Sequence, residues 1–235
     1  MKRNTTIVSP RSGRSNLQER ARGLPRRIRR ADPPRNGVKE QITFTDRLRI
    51  NFSFLLDPAV AFLDRIGVHP NHLTALGVLG TTIAAYLVSQ GQFTWAGIVV
   101  LIIGPVDALD GPLARRRGEP VAFGAFVDSV ADRYSELALY AGLLWMAQGS
   151  GDWRLSFLVY FAAFGSVLVS YVRARAQSLG MDAKGGVLTR VERFIIMTAC
   201  LIFNVPFIGV GVLAIGTNLT AIQRIWQVRL MSKQS

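Results

Sequence analysis

Apolar residues dominate six long segments in the last two thirds of the chain. The segments cover residues 71–90, 94–115, 121–147, 153–177, 187–204 and 206–227. Each is close to the ~20 residues that an α-helix needs to cross a bilayer. The pattern therefore predicts an all-α integral membrane protein with six transmembrane helices.

An amphipathic stretch, residues 44–67, precedes the first apolar segment. Its apolar residues recur at helical spacing, and Asp57, Asp64 and Arg65 occupy the other face. The apolar positions are Phe52, Leu55, Leu56, Ala59, Phe62, Leu63 and Ile66. Such a helix is expected to lie in the membrane interface rather than cross it.

The connections between the apolar segments alternate in charge. "SQGQFT", "QGSGDW" and "FNVPF" contain no Lys or Arg, whereas "ARRRGEP", residues 173–193 and the stretch after residue 223 are rich in them. Basic loops mark the cytoplasmic side of membrane proteins. The alternation predicts a multi-pass cell-membrane protein with both termini in the cytoplasm.

The net charge of +13 comes mainly from the first 50 residues, which hold fourteen Lys/Arg and four Asp/Glu. Residues 1–43 have no apolar period, so they cannot bury enough surface to offset the entropy of ordering. We expect a disordered cytoplasmic tail that rests on anionic lipid. No aromatic residues are interleaved with the basic ones, so no specific nucleic-acid partner is expected.

Four aspartates lie where the chain otherwise avoids charge. Asp107 and Asp110 fall at the end of the second apolar segment, and Asp128 and Asp132 at the start of the third. Residues three or four apart share one face of a helix, and the short loop between the segments predicts antiparallel neighbours. The two acidic stripes are therefore expected to face each other.

Burying four carboxylates in a membrane protein requires positive charge nearby. Arg115 and Arg133 could neutralise part of the cluster, and two divalent ions could neutralise all of it. Ligands that are only oxygen favour Mg²⁺ or a similar hard ion such as Mn²⁺. A carboxylate-based transporter is an alternative. A di-iron bundle needs Glu-x-x-His pairs, and His69 and His72 lie outside both stripes.

These residues resemble the signature of the CDP-alcohol phosphotransferase family, D-x2-D-G-x2-A-R-x8-G-x3-D-x3-D. Asp107, Asp110, Gly111, Ala114, Arg115, Gly124, Asp128 and Asp132 match all eight fixed positions. Pro70, Asn71 and Thr74 in "HPNHLT" resemble the family's opening of the first crossing. The resemblance extends over roughly residues 45–230 and assigns 68–230 to a six-helix catalytic domain.

The resemblance implies an enzyme that transfers a phosphatidyl-type group from a CDP-linked lipid to an alcohol and releases CMP. It implies two metal ions on the four aspartates, Asp132 as the general base, and commonly a homodimer. The implied CDP-lipid contacts are Pro70, Asn71, Thr74, Gly111, Ala114, Arg115 and Gly124. Before Gly124 the chain has "VAF" where many members carry a hydroxyl residue.

The acceptor is indicated by "SYVRARAQSLGMDAKGGVLTRVERFII". Its Y-x-R-A-R-A and R-x-E-R patterns resemble the branch that uses inositol 1-phosphate. A phosphorylated acceptor requires a basic pocket, for which guanidinium groups are suited. The candidates are Arg173, Arg175, Arg190, Arg193 and Arg224. Glycerol 3-phosphate and serine are the alternative acceptors.

Overall fold

A computed structural model of the chain describes residues 57–118, 121–183 and 185–233. Within these ranges all regular structure is helical and no strand occurs. The described residues fall in one compact unit. The prediction of an all-α protein is therefore confirmed. The basic tail, residues 1–43, and the first part of the predicted interfacial helix, residues 44–56, lie outside the described residues.

The helices follow the predicted apolar segments in order. They are α1 (57–65), α2 (Pro70–Ser89), α3 (Phe93–Asp107), α4 (Asp110–Arg117), α5 (Val121–Gly149), α6 (Trp153–Ser178), α7 (Arg190–Ile202) and α8 (Pro206–Ser232). Proline stands in the first turn of α2 and of α8, where its missing N–H costs no hydrogen bond. Gly118 ends α4 in the left-handed conformation, with a φ of 67°.

Four stretches are long and apolar enough to cross a membrane: Pro70–Ser89, Phe93–Arg117, Trp153–Ser178 and Pro206–Ser232. Helix α5 has sufficient length at 29 residues, but it carries the charged residues Asp128, Asp132, Arg133 and Glu136. Helix α7 has only 13 residues. Length and composition alone thus support four of the six predicted crossings.

The second predicted helix, 94–115, is interrupted between its two aspartates. Helix α3 ends at Asp107 and α4 begins at Asp110. Pro105 lies inside α3 and cannot donate the helical hydrogen bond. Leu109 donates to Val106, a tighter turn than the α-helical one. The predicted helix is therefore not continuous between Asp107 and Asp110.

The fifth predicted helix, 187–204, is shorter than expected. Its helical part is Arg190–Ile202, and the residues before it run along α8 without forming a helix. The Val187 N–H donates to Gln223 Oε1 at 3.1 Å, and the Leu188 N–H donates to Thr220 Oγ1 at 2.9 Å. Side chains of α8 thus accept hydrogen bonds from backbone N–H groups that have no helical partner.

The core forms where α2 packs against α3 and α5, α6 packs against α8, and α7 packs against α3 and α8. Its centre contains fully buried Val88, Leu143, Leu201 and Leu213. Gly142 lets α5 approach the α2 backbone, because a Cβ there would collide with the Ala85 carbonyl. Large apolar side chains such as Trp145, which is 73% exposed, cover the outside.

Candidate metal centre

Three carboxylates from two helices converge at one end of the bundle. Asp107 ends α3, and Asp128 and Asp132 lie one turn apart on α5. Each offers an oxygen, and these three oxygens all lie within 4.8 Å of one another. The Asp132 side chain is 8% exposed and that of Asp107 is 19% exposed. This cluster could hold a metal ion.

The fourth predicted ligand, Asp110, lies beside the cluster but faces α2. It is buried, and its Oδ2 accepts a hydrogen bond of 2.7 Å from the Thr74 hydroxyl. Its Oδ1 accepts from the Gly111 N–H at 2.5 Å. The break after Asp107 produces this orientation, because Asp110 belongs to the first turn of a new helix.

An arginine from α7 supplies the nearest positive charge. The Arg190 guanidinium bridges Asp107 and Asp132, with 3.2 Å from its Nη2 to Asp107 Oδ2. Arg133 Nη2 lies 3.9 Å from Asp132. The expectation that Arg133 balances the cluster agrees with this distance. Arg190, which was not among the expected neutralising residues, makes the closer contacts.

The donor set of the cluster fits a hard divalent cation. Its members are carboxylates alone, and such oxygen ligands suit Mg²⁺, Mn²⁺ or Ca²⁺ rather than Zn²⁺ or copper. Carboxylates this close repel one another unless a cation lies between them. Arg190 and Arg133 provide two positive charges beside three carboxylates and the neighbouring Asp110, so the site keeps a net negative charge that a divalent ion would offset.

A second charged cluster lies one turn further along α5. Glu136 accepts from Arg193 Nε at 2.8 Å and from the Ser166 hydroxyl at 2.6 Å, and its Oε2 lies 3.6 Å from Arg133 Nε. Arg193 is 3% exposed. Because a buried charge requires a partner, Glu136 fixes the position of Arg193 between α5, α6 and α7.

The five predicted acceptor-binding arginines occupy different environments. Arg224 is buried and donates to the carbonyls of Gly185 and Val169 at 2.9 and 2.8 Å. Arg173 and Arg193 are close enough to Arg224 for their like charges to interact. Arg175 is exposed near the end of α6, where it donates to Ser178 at 3.4 Å. Arg190 contacts the aspartates instead.

The residues predicted to contact the CDP-lipid lie on α2, α4 and α5, next to the aspartates. Pro70 and Thr74 are buried, and Asn71 and Arg115 are exposed. No atom lies within 4 Å of a Cβ built at Gly124, so this part of α5 is open. Gly111 and Ala114 lie on the short helix α4.

Helix α4 is also fastened to α1. Asp64 forms ion pairs with Arg116 at 3.2 Å and with Arg117 at 2.8 Å. The hydrogen bond from Arg117 holds the pKa of the Asp64 carboxyl below its usual value. The contact joins the end of the predicted interfacial helix to the helix that carries three of the predicted CDP-lipid residues.

The sequence profile of the CDP-alcohol phosphatidyltransferases matches residues 67–223. The chain belongs to this family. The match begins just before α2, ends within α8 and includes all four signature aspartates. The family membership that the signature indicated is thereby confirmed, and the match covers most of the chain.

Two relatives are named as synthases of inositol phosphate lipids. The chain is 35% identical over 190 residues to the phosphatidylinositol phosphate synthase of Mycobacteroides abscessus, covering 77% of this chain and 86% of the relative. It is 37% identical over 168 residues to the archaetidylinositol phosphate synthase of Pyrococcus horikoshii, covering 71% and 87%.

Solved structures of a related enzyme share the fold. The crystal structure of Mycobacterium tuberculosis phosphatidylinositol phosphate synthase with CDP-DAG bound matches with a TM-score of 0.68 and 31% identity, over 74% of this chain and 92% of that one. A structure of the same enzyme with manganese and citrate matches with a TM-score of 0.69 and 30% identity, over 74% and 88%.

Sequence reasoning missed Glu136 and Ser166. Glu136 could have been noticed because it follows Asp132 by four residues and continues the acidic face of α5. Ser166 gives no comparable signal, since a serine in an apolar helix commonly bonds its own backbone.

Proposed function

We propose that this protein is a membrane enzyme of phospholipid biosynthesis that transfers a phosphatidyl-type group from a CDP-linked lipid to inositol 1-phosphate and releases CMP. The convergence of Asp107, Asp128 and Asp132 carries the proposal. Support for the substrates comes from the relatives, of which one is a structure with CDP-DAG bound and several are named inositol phosphate lipid synthases.

Asp107, Asp110, Asp128 and Asp132 would hold two Mg²⁺ ions, with Mn²⁺ as a possible substitute. Bound there, the ions would offset the negative charge that develops on the phosphate leaving with CMP. Asp110 would complete the set after giving up the hydrogen bond that it accepts from Thr74. A relative solved with manganese is consistent with this assignment.

Asp132 acts as the general base. It accepts the proton of the inositol hydroxyl while that oxygen attacks the lipid-bearing phosphorus and the bond to CMP breaks. Arg190 and Arg133 lie next to its carboxylate.

The acceptor phosphate binds among the arginines on the side of Asp132 toward α6 and α8. Arg193 and Arg224 are held rigidly by Glu136 and by backbone carbonyls, and Arg173 is exposed beside them. Fixed guanidinium groups bind phosphate at a lower entropic cost than mobile ones. Arg190 and Arg175 complete the predicted set at the same end of the bundle.

The CDP moiety binds along α4 and the start of α2. Gly111, Ala114 and Gly124 provide room for a close approach, and Asn71 and Arg115 are exposed polar groups beside that surface. Thr74 acts through Asp110, to which it donates. Pro70 begins α2 and fixes the direction of its first turn.

We further propose six crossings within residues 68–230, preceded by an interfacial helix over 44–67. Helix α5 spans at ~43 Å, from 1.5 Å per residue. Helix α7 spans together with residues 185–189, because that backbone is bonded to α8, the condition for irregular structure within a membrane. Exposed Trp95, Trp145 and Trp153 lie near the other end of the bundle, as expected at an interface.

From the basic connections we propose that the metal end and both termini face the cytoplasm, with residues 1–43 as a lipid-attracted tail. The protein is expected to form a homodimer, as its family commonly does.

The decisive assay measures CMP release by the full-length protein in liposomes containing CDP-diacylglycerol, with Mg²⁺ and one acceptor at a time. CMP release with inositol 1-phosphate is expected, and release only with glycerol 3-phosphate or serine would reassign the acceptor. Transport of substrate without CMP would establish the transporter alternative.

Asp132→Asn tests the base. The variant should bind metal and CDP-lipid but lose CMP release by at least ~100-fold. Asp152→Asn is the matched control, because Asp152 caps α6 through a 3.0 Å bond from the Leu155 N–H, and Asn caps a helix equally well. Near-normal turnover of Asp132→Asn would show that Asp132 is not the base.

A further inference from the structure

Helix α2 contacts both aspartates that flank the break between α3 and α4. Thr74 donates to Asp110. Gly77, on the same face of α2, lies against Asp107: a Cβ at position 77 would be 3.0 Å from Asp107 Cγ, 3.2 Å from Asp107 Cβ and closer still to Oδ1. The first pair of signature aspartates therefore rests on a surface that α2 provides.

From this contact we infer that Gly77 is a positioning residue of the metal centre. Because Gly77 has no side chain, it leaves the space that the Asp107 carboxylate occupies. The inference rests on the proposed function in one respect, namely that Asp107 is a metal ligand.

Backbone conformation does not explain a glycine at this position. Gly77 lies inside α2 and is not among the residues with positive φ, so alanine could adopt the same backbone. Glycine inside a helix is less favourable than alanine. The space it leaves is filled by Asp107. Rotation of the carboxylate would leave the Asp107 Cβ 3.2 Å away, a separation that still requires a shift of a few tenths of an ångström.

Gly80 shows that the contact at Gly77 is specific. It lies one turn further along α2, and a Cβ there would meet the Ile103 side chain of α3, 2.7 Å from Cδ1. Both glycines thus permit the same pair of helices to pack closely. Only Gly77 does so against a carboxylate of the cluster.

Replacing Gly77 with alanine would displace Asp107 relative to Asp128 and Asp132. Metal sites tolerate displacements of only a few tenths of an ångström. Loss of a group that orients a metal ligand commonly weakens metal binding about 10- to 100-fold. The effect of Gly77→Ala is therefore expected in metal affinity before it is seen in folding.

The test compares wild-type, Gly77→Ala and Gly80→Ala full-length proteins in detergent. Mn²⁺ affinity is measured from the free-ion signal in electron paramagnetic resonance, and thermal unfolding is measured in EDTA. We expect similar unfolding temperatures for the two variants, Mn²⁺ affinity weakened about tenfold or more in Gly77→Ala, and Gly80→Ala within about twofold of wild type.

Equal Mn²⁺ affinities of Gly77→Ala and wild type would overturn the inference. So would equal losses of Mn²⁺ affinity in Gly77→Ala and Gly80→Ala, or failure of Gly77→Ala to fold. The proposed reaction is judged separately by CMP release from the wild type. A wild-type protein that binds Mn²⁺ and releases no CMP would refute the reaction and leave the role of Gly77 standing.

Discussion

Replacing Arg190 with alanine is expected to strengthen metal binding. The guanidinium of Arg190 lies between Asp107 and Asp132, two of the three carboxylates that could hold an ion. Its side chain is 53% exposed, so it can leave the site without disturbing the core. In the metal-free protein Arg190 therefore competes with the ion for the same oxygens.

The magnitude follows from the two contacts that an incoming ion has to break. Ion pairs at the protein surface contribute about 0.2–1 kcal/mol each. The carboxylates here are only 19% and 8% exposed, which favours the upper part of that range, about 1–2 kcal/mol in total. Such a difference corresponds to roughly a 5- to 30-fold change in an equilibrium constant. Removing a like charge beside the cation acts in the same direction.

The assay is a Mn²⁺ titration of full-length wild type, Arg190→Ala and Arg175→Ala in detergent without substrates. Arg175 lies in the last turn of α6 and is also exposed, but it contacts Ser178 rather than an aspartate. Arg190→Ala should lower the Kd for Mn²⁺ by about tenfold, and Arg175→Ala should change it less than twofold. A Kd that is unchanged or higher in Arg190→Ala would refute the competition.

Two further predictions concern stability. Glu136→Gln removes the counter-charge of buried Arg193 and should lower the free energy of unfolding by about 3–5 kcal/mol, measured by thermal unfolding. Glu192→Gln, in the first turn of α7, is the control and should lower it far less. Equal losses of stability in the two variants would argue against the buried pair. Because Arg117 lowers the pKa of Asp64 in the folded protein, the stability it gives is present above the unfolded pKa and lost as pH falls through the folded value. The unfolding temperatures of wild type and Asp64→Asn should therefore converge on acidification, and a pH-independent difference would contradict this.

The sequence was most informative where spacing and chemistry agreed. Asp128 and Asp132 are four residues apart, so any helix places them on one face, and a short connection brings that face to the preceding helix. This reasoning required no knowledge of distant contacts. It anticipated an all-helical chain and an acidic cluster between two apolar segments.

The position of Asp110 depended on a feature that the pattern of apolar residues does not reveal. Hydrophobicity continues through Pro105 to Leu113, so one helix was expected. Proline in a helix can produce a kink or a break, depending on the neighbours that satisfy the freed backbone groups. Here the α-helical pattern ends after Ala108, because the Leu109 N–H bonds the Val106 carbonyl three residues back instead of four.

The ion-pair partners of the arginines could not be predicted from the sequence, for a different reason. Arg190 and Asp107 are separated by 83 positions, and Arg193 and Glu136 by 57. Charge alone does not choose among the many possible pairs at such separations. The helical length of α7 decides which pairs form, and its first residue, Arg190, was expected in the interior of a longer helix.

Two of the three acidic residues of α5 pair with different arginines of α7. Asp132 and Glu136 are one turn apart, and they pair with Arg190 and Arg193, which are nearly one turn apart on α7. The Arg193 side chain is 4% exposed and that of Arg190 is 53% exposed. The pair with Arg193 can therefore keep α7 docked while the pair with Arg190 opens. Exchange of Arg190 for a metal ion then requires the movement of one exposed side chain and no displacement of a helix.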